Sequence, residues 1–481
     1  KSVDTKYYIA FGIEGLVIGF IVILLIITKF NSISFSEIFT SSDKTIIFIL
    51  STIILTALFT FGFIFITNKC FLNSNTNGGF NNNGNNNVSY SGVKEITSEE
   101  DISNGEYSSS NADENAILIS GGKSTISDVS INKTGDSSEG DNTSFYGINS
   151  SIVAKDGANA TIKNAIINTD ANGANGVFSY GGNATTNNSN SDNTIININD
   201  SKITTNKDNS GGIMTTGGGI MNATNLEITT NGTSSAAIRS DRGGWTVNVD
   251  SGTYTTNGKG SPSIYSTADI IVKNAKLISN ASKGIVIEGK NSVSIDNVEL
   301  TDNNTTLNGQ STTYKNIFLY QSMSGDAAVG NASFTASNSM ITTNKGDTLY
   351  ITNTTATINL TNNKIINNDK SGNFLRIQKD SWGNSDSNGN VTLNLNNQEA
   401  IGNIVVDSIS TLTLLLKNGS YIEGSVNSDN TAKNIVLNID KDSKIKLTGD
   451  MYVSELNNDD VTNSNIDLNG YKLYVNNVEI K

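Results

Sequence analysis

One unit recurs through this chain from about residue 115 to its end: an apolar residue, four further positions, a second apolar residue, then Thr or Ser and Asn. The second apolar residue falls at Ile131, Ile167, Ile203, Ile228, Tyr254, Leu277 and Leu300, at intervals of 36, 36, 25, 26, 23 and 23. It returns at Ile341, Ile365, Tyr421 and Leu473, with weaker copies near Ala400 and Ile445. Its apolar partner stands five residues earlier, from Ile126 through Ile162 and Ile198 to Ile295. No packed globule keeps one residue type at one phase over so many repeats. Repeats of this length built from short alternating strands specify a parallel β-solenoid.

Two polar series ride on the same register. Asp128, Asn164, Asp200, Asn225, Ser251, Asn274, Asn297, Asn338, Asn362, Asn397 and Asn418 stand three residues before each apolar anchor. Asn206, Asn231, Asn257, Asn280, Asn303, Asn344 and Asn368 stand three residues after it. Asn accepts left-handed backbone and bonds its own main chain in turns. Stacked coil upon coil, its amides also bond one another. About thirteen coils at ~4.8 Å each give a solenoid on the order of 60 Å long. The first strand is expected at "NAILISGG", with "TSEEDISNGEY", residues 97 to 107, as the cap over an otherwise open edge. With 44 Gly and one Pro, the composition alone would suit a disordered tract equally, so it is the period that decides for order.

Composition excludes several chemistries. A net charge of −13 argues against nucleic acid as a partner, because it opposes the neutralisation of a row of phosphates. The chain has no His, which removes Ser-His-Asp and Cys-His catalysis and any His-ligated metal. The lone Cys70 makes no internal disulfide.

Ahead of the repeats, residues 7–28 and 45–66 are each long and apolar enough to be expected as transmembrane helices. Glu14 lies within the first and is read either as snorkelling to the interface or as pairing inside a bundle. Lys29 and Lys44 favour a cytoplasmic loop between the spans, which places both ends outside. Three parts follow: a membrane anchor over 1–70, an Asn/Gly-rich flexible linker over 71–92, and a solenoid ectodomain over 93–481.

The segments "SFYGINSSIVAKDGANATIKN", "NGVFSYGG", "IRSDRGG", "VIEGKNSV", "IFLYQSMSGDA" and "IDLNGYKLYVNN" resemble a family of bacterial surface right-handed parallel β-helix proteins, loosely labelled adhesins, with a pectate-lyase-like fold. The resemblance runs from about residue 104 to the end. It implies an all-β, single-stranded right-handed parallel β-helix in a cell-envelope setting, and it implies no particular reaction. The two apolar spans lie outside it.

The candidate site comes from the residues this composition makes scarce. Arg239 and Arg242 are two of three arginines, and Trp245 is one of two tryptophans. Ten residues past successive anchors come Ile213, Ile238, Ile264 and Ile287, with Leu375 later; one residue further come Met214, Arg239, Tyr265, Glu288 and Arg376. Strand side chains alternate, so if the first set points inward the second forms an outward column. Asp241, Arg242, Trp245 and Lys290 join that face from loops, Tyr320, Gln321 and Asp326 from "YQSMSGDA", and Lys379, Asp380 and Trp382 from "RIQKDSWGNSD".

Three readings stand side by side. Aromatic rings beside charged groups suit a glycan, giving Arg239, Asp241, Arg242, Trp245, Tyr265, Glu288, Tyr320, Gln321, Arg376 and Trp382 as the ligand-binding set. The same charges also suit a solvated ladder that merely braces Tyr265. Uronate cleavage needs a base, for which Arg239 or Lys290 are candidates with Glu288, and Ca²⁺, for which Asp241 and Glu288 are the candidate ligands. Two carboxylates make a poor calcium cluster, and no other cofactor is implied. The expected function is surface adhesion or recognition of polysaccharide, or of a neighbouring cell surface, by a membrane-tethered extracellular body. A polysaccharide lyase or glycoside hydrolase, and a structural envelope spacer, are the alternatives.

Overall fold

Alternation along each short strand decides what this chain builds. In a strand such as Asn159–Lys163, Ala160 and Ile162 are buried while Asn159 and Lys163 are exposed. Such a strand hides one face only by stacking parallel copies of itself, coil over coil. The structure, a computed structural model, describes residues 88–184, 190–308, 313–382 and 387–481. The spans expected at 7–28 and 45–66, and most of the stretch 71–92, lie outside these residues. Among the described residues no helix is long and apolar enough to cross a membrane.

The described chain is an all-β parallel solenoid with three strands to a coil. Strands on the first face, from Gly92–Ile96 to Ile404–Val406, stack in one sheet of twelve. The second and third faces form a sheet of 22 strands, continued at the C-terminal end by a sheet of four. In mid-solenoid a single strand, Ile220–Thr230, covers both of these faces. Its bend is Asn225, with φ 53. Each member of the Asn/Asp/Ser series three residues before the anchor has positive φ, from Asp128 at 54 to Asn418 at 54. Those residues are the corners of the solenoid, at positions where Asn and Asp tolerate the left-handed region.

The second Asn series forms an unbroken chain of side-chain hydrogen bonds. Asn231 donates to Asn206 at 2.9 Å, Asn257 to Asn231 at 2.7 Å, and Asn280 to Asn257 at 2.7 Å. Asn303, Asn344 and Asn368 continue it at 2.7, 2.6 and 2.7 Å. The interior is one apolar column, in which Ile213, Ile238, Ile264, Ile285, Ile317 and Leu349 are each fully buried.

Several sequence expectations need correction. The first strand is Gly92–Ile96, which pairs with Asn115–Ser120. Residues 97–107 are no cap: Glu100–Ser103 and Glu106–Ser109 are strands of that same first coil. Tyr90, near the end of the stretch expected to be a tether, packs beside Leu118, Val153 and Phe178 and donates to the Tyr146 carbonyl at 2.7 Å. Tyr421 is not an anchor, because Ala400 pairs with Ile422. The chain spends one extra left-handed residue there, Gly419 after Asn418, and this shifts the phase by one. Leu473 pairs with Met451 on the continuation of the first face rather than on the third. With Val426, Met451–Val453 and Leu473–Val475 added to its twelve strands, the first face has fifteen rungs in place of about thirteen. The C-terminal end closes with the short antiparallel pair of Leu473–Val475 and Val478–Glu479.

Candidate functional site

Segments from the loops cover part of the outer side of the first face. Toward the N-terminal end, Leu118, Val153, Phe178 and Met214 form an apolar cluster under Tyr90 and Tyr180. The short helix Asn142–Tyr146 lies beside them, with Tyr146 edge-on to Tyr180 at 5.5 Å. Further along, Val286, Phe318, Tyr320 and Tyr350 form a second cluster with Tyr265 and Trp382. Arg239, Asp241 and Arg242 stand between the two.

The strand register sets the column. Met214 pairs with Arg239, Arg239 with Tyr265, and Tyr265 with Val286. Glu288 is therefore not the third member of the Arg239–Tyr265 column; its rung partner is Tyr320. The reason is turn length. Ten residues separate Tyr254 from Ile264, but eight separate Leu277 from Ile285, which is the partner of Ile264. A change of two preserves the alternation, so Ile287 still points inward and Glu288 outward. Tyr265 nevertheless reaches diagonally and donates to Glu288 Oε2.

Glu288 is 1 % exposed and sits at the centre of a hydrogen-bonded knot. Tyr320 donates to its Oε2 at 3.3 Å, and the Ser322 hydroxyl donates to Oε1. Burial pushes its carboxyl above the usual range, against the pull of Ser322 and Tyr265, and Asp241 and Asp326 push the same way. Burial likewise raises Asp241 although Arg239 is its ion-pair partner, Nη2 to Oδ2 at 2.9 Å. Burial, and then Glu288, hold the Tyr265 and Tyr320 phenols well above their ordinary value.

The remaining candidates divide. The Arg242 guanidinium covers the Phe145 ring at 3.4 Å, and its Nε lies 3.2 Å from Asp326. Gln321 is buried and donates to the Ala327 carbonyl at 3.1 Å. Trp382 packs edge-on against Tyr320 at 5.0 Å. Arg376 stands apart from Arg239: it pairs with Asp347 at 2.6 Å and donates to Gln378 at 3.1 Å. Asp241 and Glu288 do not form a calcium cage. Among the described residues no group of three or more His, Cys, Asp or Glu is placed to hold a metal ion.

Trp245 differs from all of these because 46 % of it is exposed. With Gly243, Gly244, Ala268, Asp269, Lys290 and Asn291 it lines a shallow cleft of about 210 Å³. Asp269 and Lys290 are exposed there. The cleft adjoins the Glu288 knot, since Asn291 donates to the Glu288 carbonyl at 2.6 Å.

Sequence reasoning missed the buried lysines. Lys315 begins the strand Lys315–Tyr320 with its side chain fully buried, and Asp380 is its partner at 3.4 Å. Lys283 is 8 % exposed and faces the Phe318 ring at 5.4 Å, with no ion-pair partner among the described residues. A lysine just ahead of an apolar strand reads as solvated, and no local signal in the sequence marks it otherwise. No family model matches this chain, and no curated protein or solved structure is detectably similar to it.

Proposed function

We propose that this solenoid is a surface recognition module that binds polysaccharide at the Trp245 cleft without turning it over. The observation that carries the reading is the half-exposed Trp245 ring beside Lys290, Asp269 and Asn291. An apolar ring face with a few polar groups at its rim is the arrangement sugars need, with their C–H faces on the ring and their hydroxyls or carboxylates on the rim. The other tryptophan, Trp382, is by contrast partly buried and packs edge-on against Tyr320.

Around that site we place the rest of the expected picture: a right-handed winding, tethering by the two apolar spans at 7–28 and 45–66, and a body outside the cell membrane. The absence of turnover is supported by the state of the carboxylates. Glu288 and Asp241 are almost fully buried and already engaged by Tyr265, Ser322 and Arg239, so neither reaches into the cleft. The lyase or hydrolase alternative draws on one observation, that burial raises both carboxyls above their ordinary values, the direction in which a general acid is tuned.

The test is binding of residues 83–481 to a polysaccharide panel, with and without Ca²⁺, while cleavage products are assayed. Binding that Trp245→Ala and Lys290→Ala abolish, without products, is the expected result. New unsaturated or reducing ends would move the reading to the enzyme. No binding anywhere on the panel would leave the structural spacer.

A further inference from the structure

Lys315 and Asp380 meet in a closed aromatic cage. Both side chains are 0 % exposed, with Nζ 3.4 Å from Oδ2. The ammonium lies 3.8 Å from the centre of the Tyr350 ring and 4.8 Å from that of Phe318. The two carboxylate oxygens are held differently. Oδ2, the one nearest the lysine, accepts the Tyr350 hydroxyl at 2.6 Å. Oδ1 accepts the Ser381 backbone N–H and, at 3.0 Å, the Ser381 hydroxyl. Gln378 in turn fixes Tyr350 by donating to its hydroxyl at 3.1 Å.

We propose that Lys315 and Asp380 condense into an intramolecular isopeptide cross-link. A buried ion pair in an apolar cage gives up little by moving one proton from the ammonium to the carboxylate, because two uncharged groups cost less there than two charges. Burial lowers the lysine's affinity for its proton, in support of that transfer. The hydrogen bonds on Asp380 and the charge of Lys315 outweigh burial and keep its carboxyl low, so the proton it needs comes from the lysine itself.

The amine lone pair then attacks Cγ. The C–N bond forms, the C–Oδ2 bond breaks, and Oδ2 leaves as water with the carboxyl proton and one further proton from the nitrogen. Nothing is oxidised or reduced, and no co-reactant is needed. The Ser381 N–H and hydroxyl face the oxygen on which negative charge develops, and the Tyr350 hydroxyl already bonds the departing one. The two groups are held in place by the solenoid strand Lys315–Tyr320 and by the segment after Leu375–Ile377, so encounter entropy is spent in folding rather than in the reaction. The same burial keeps water from reversing the step.

The cross-link would tie the segment bearing Asp380 and Trp382 to the solenoid wall. Trp382 packs on Tyr320, so the cover over the second aromatic cluster would be anchored covalently.

The test is mass spectrometry on the purified full chain and its proteolytic digest. The expected result is an intact mass one water below that of the sequence, with a branched peptide joining the Lys315 and Asp380 segments. Lys315→Arg and Asp380→Ala should restore the full mass. Asp380→Asn should form the same amide with loss of ammonia instead of water. Tyr350→Phe should slow the appearance of the branched peptide in a time course after refolding. Linear peptides covering Lys315 and Asp380 in full yield from the native protein would overturn the proposal, and that measurement needs no variant to fold.

Discussion

Arg242 Nε stands 3.2 Å from Asp326 Oδ1 across 84 residues of sequence, while its guanidinium carbon lies 3.4 Å from the centre of the Phe145 ring. One side chain thus joins the segment that covers the N-terminal part of the first face to the segment that covers the later part. Its backbone, at φ 37, is held in the left-handed region. Arg242→Ala should loosen both covers together, at a cost of about 1–2 kcal/mol from the lost cation–π contact and half-buried ion pair. Asp326→Ala should cost about half as much, with a coupling energy of ~0.5–1 kcal/mol in the double-mutant cycle. Denaturation of the four proteins measures this. Strict additivity would mean that the two covers are independent.

The corner residues make a sharper distinction. Asn297 has φ 54 and donates to Asn274 at 2.8 Å. Asn297→Gly should keep the corner and lose only the amide bond, within about 1 kcal/mol of the native protein. Asn297→Val should cost about 1–2 kcal/mol more, because a β-branched residue resists the left-handed region. Equal losses from the two substitutions would show that the amide, not the backbone, sets the corner.

Lys283 gives stability an alkaline slope. Burial, and then the neighbouring Lys315, push its amine down to about 8, while Asp302 and Asp380 pull the other way. The folded chain therefore releases this proton before the unfolded chain does. The penalty is fully present below the folded value and fades as pH rises from about 8 toward the ordinary lysine value. Urea denaturation at about pH 7 and pH 9.5 should show the Lys283 contribution becoming more favourable by on the order of 2 kcal/mol. Lys133, also pushed down to about 8 by burial, adds a slope of the same sign. Lys283→Met should remove its own share and stabilise the protein at neutral pH.

Glu288 slopes the opposite way. Burial raises its carboxyl in the folded state, so its contribution is greatest at acid pH, below the ordinary Glu value, and is lost as pH rises through the raised one. Glu288→Gln should flatten this acid-side slope and, under the recognition reading, leave polysaccharide affinity within about twofold of the native protein. A hydrolase would instead lose its turnover with this single change.

Much of the solenoid was legible because its rules are local. An Asn three residues before Ile228 must turn a corner, and Asn231, Asn257 and Asn280 stack because the strands beside them stack. The Arg239–Tyr265 adjacency followed from the same arithmetic. The failures came where turn length varies. Two residues fewer before Ile285 moved Glu288 from Tyr265's rung to Tyr320's, and one extra residue at Gly419 displaced the Tyr421 anchor. The site was less legible still. Burial of Lys283, Lys315 and Glu288 depends on loop segments such as 378–382 folding back over the outer face, and such long-range packing leaves no period in the sequence.

The Asn chain from Asn206 to Asn368 also has a direction. In each of its six hydrogen bonds the later coil donates and the earlier coil accepts. Where corner residues bond one another the sense is the same: Asn164 donates to Asp128, Asn225 to Asp200, Asn297 to Asn274 and Asn362 to Asn338. Aligned amides sum rather than cancel, as they do along an α-helix. The solenoid thus carries an axial dipole on its side chains, with its positive pole toward the first coil and its negative pole toward the last. A further coil joining the series would meet amide donors at one end and carbonyl oxygens at the other, so growth of the ladder is chemically different in its two directions.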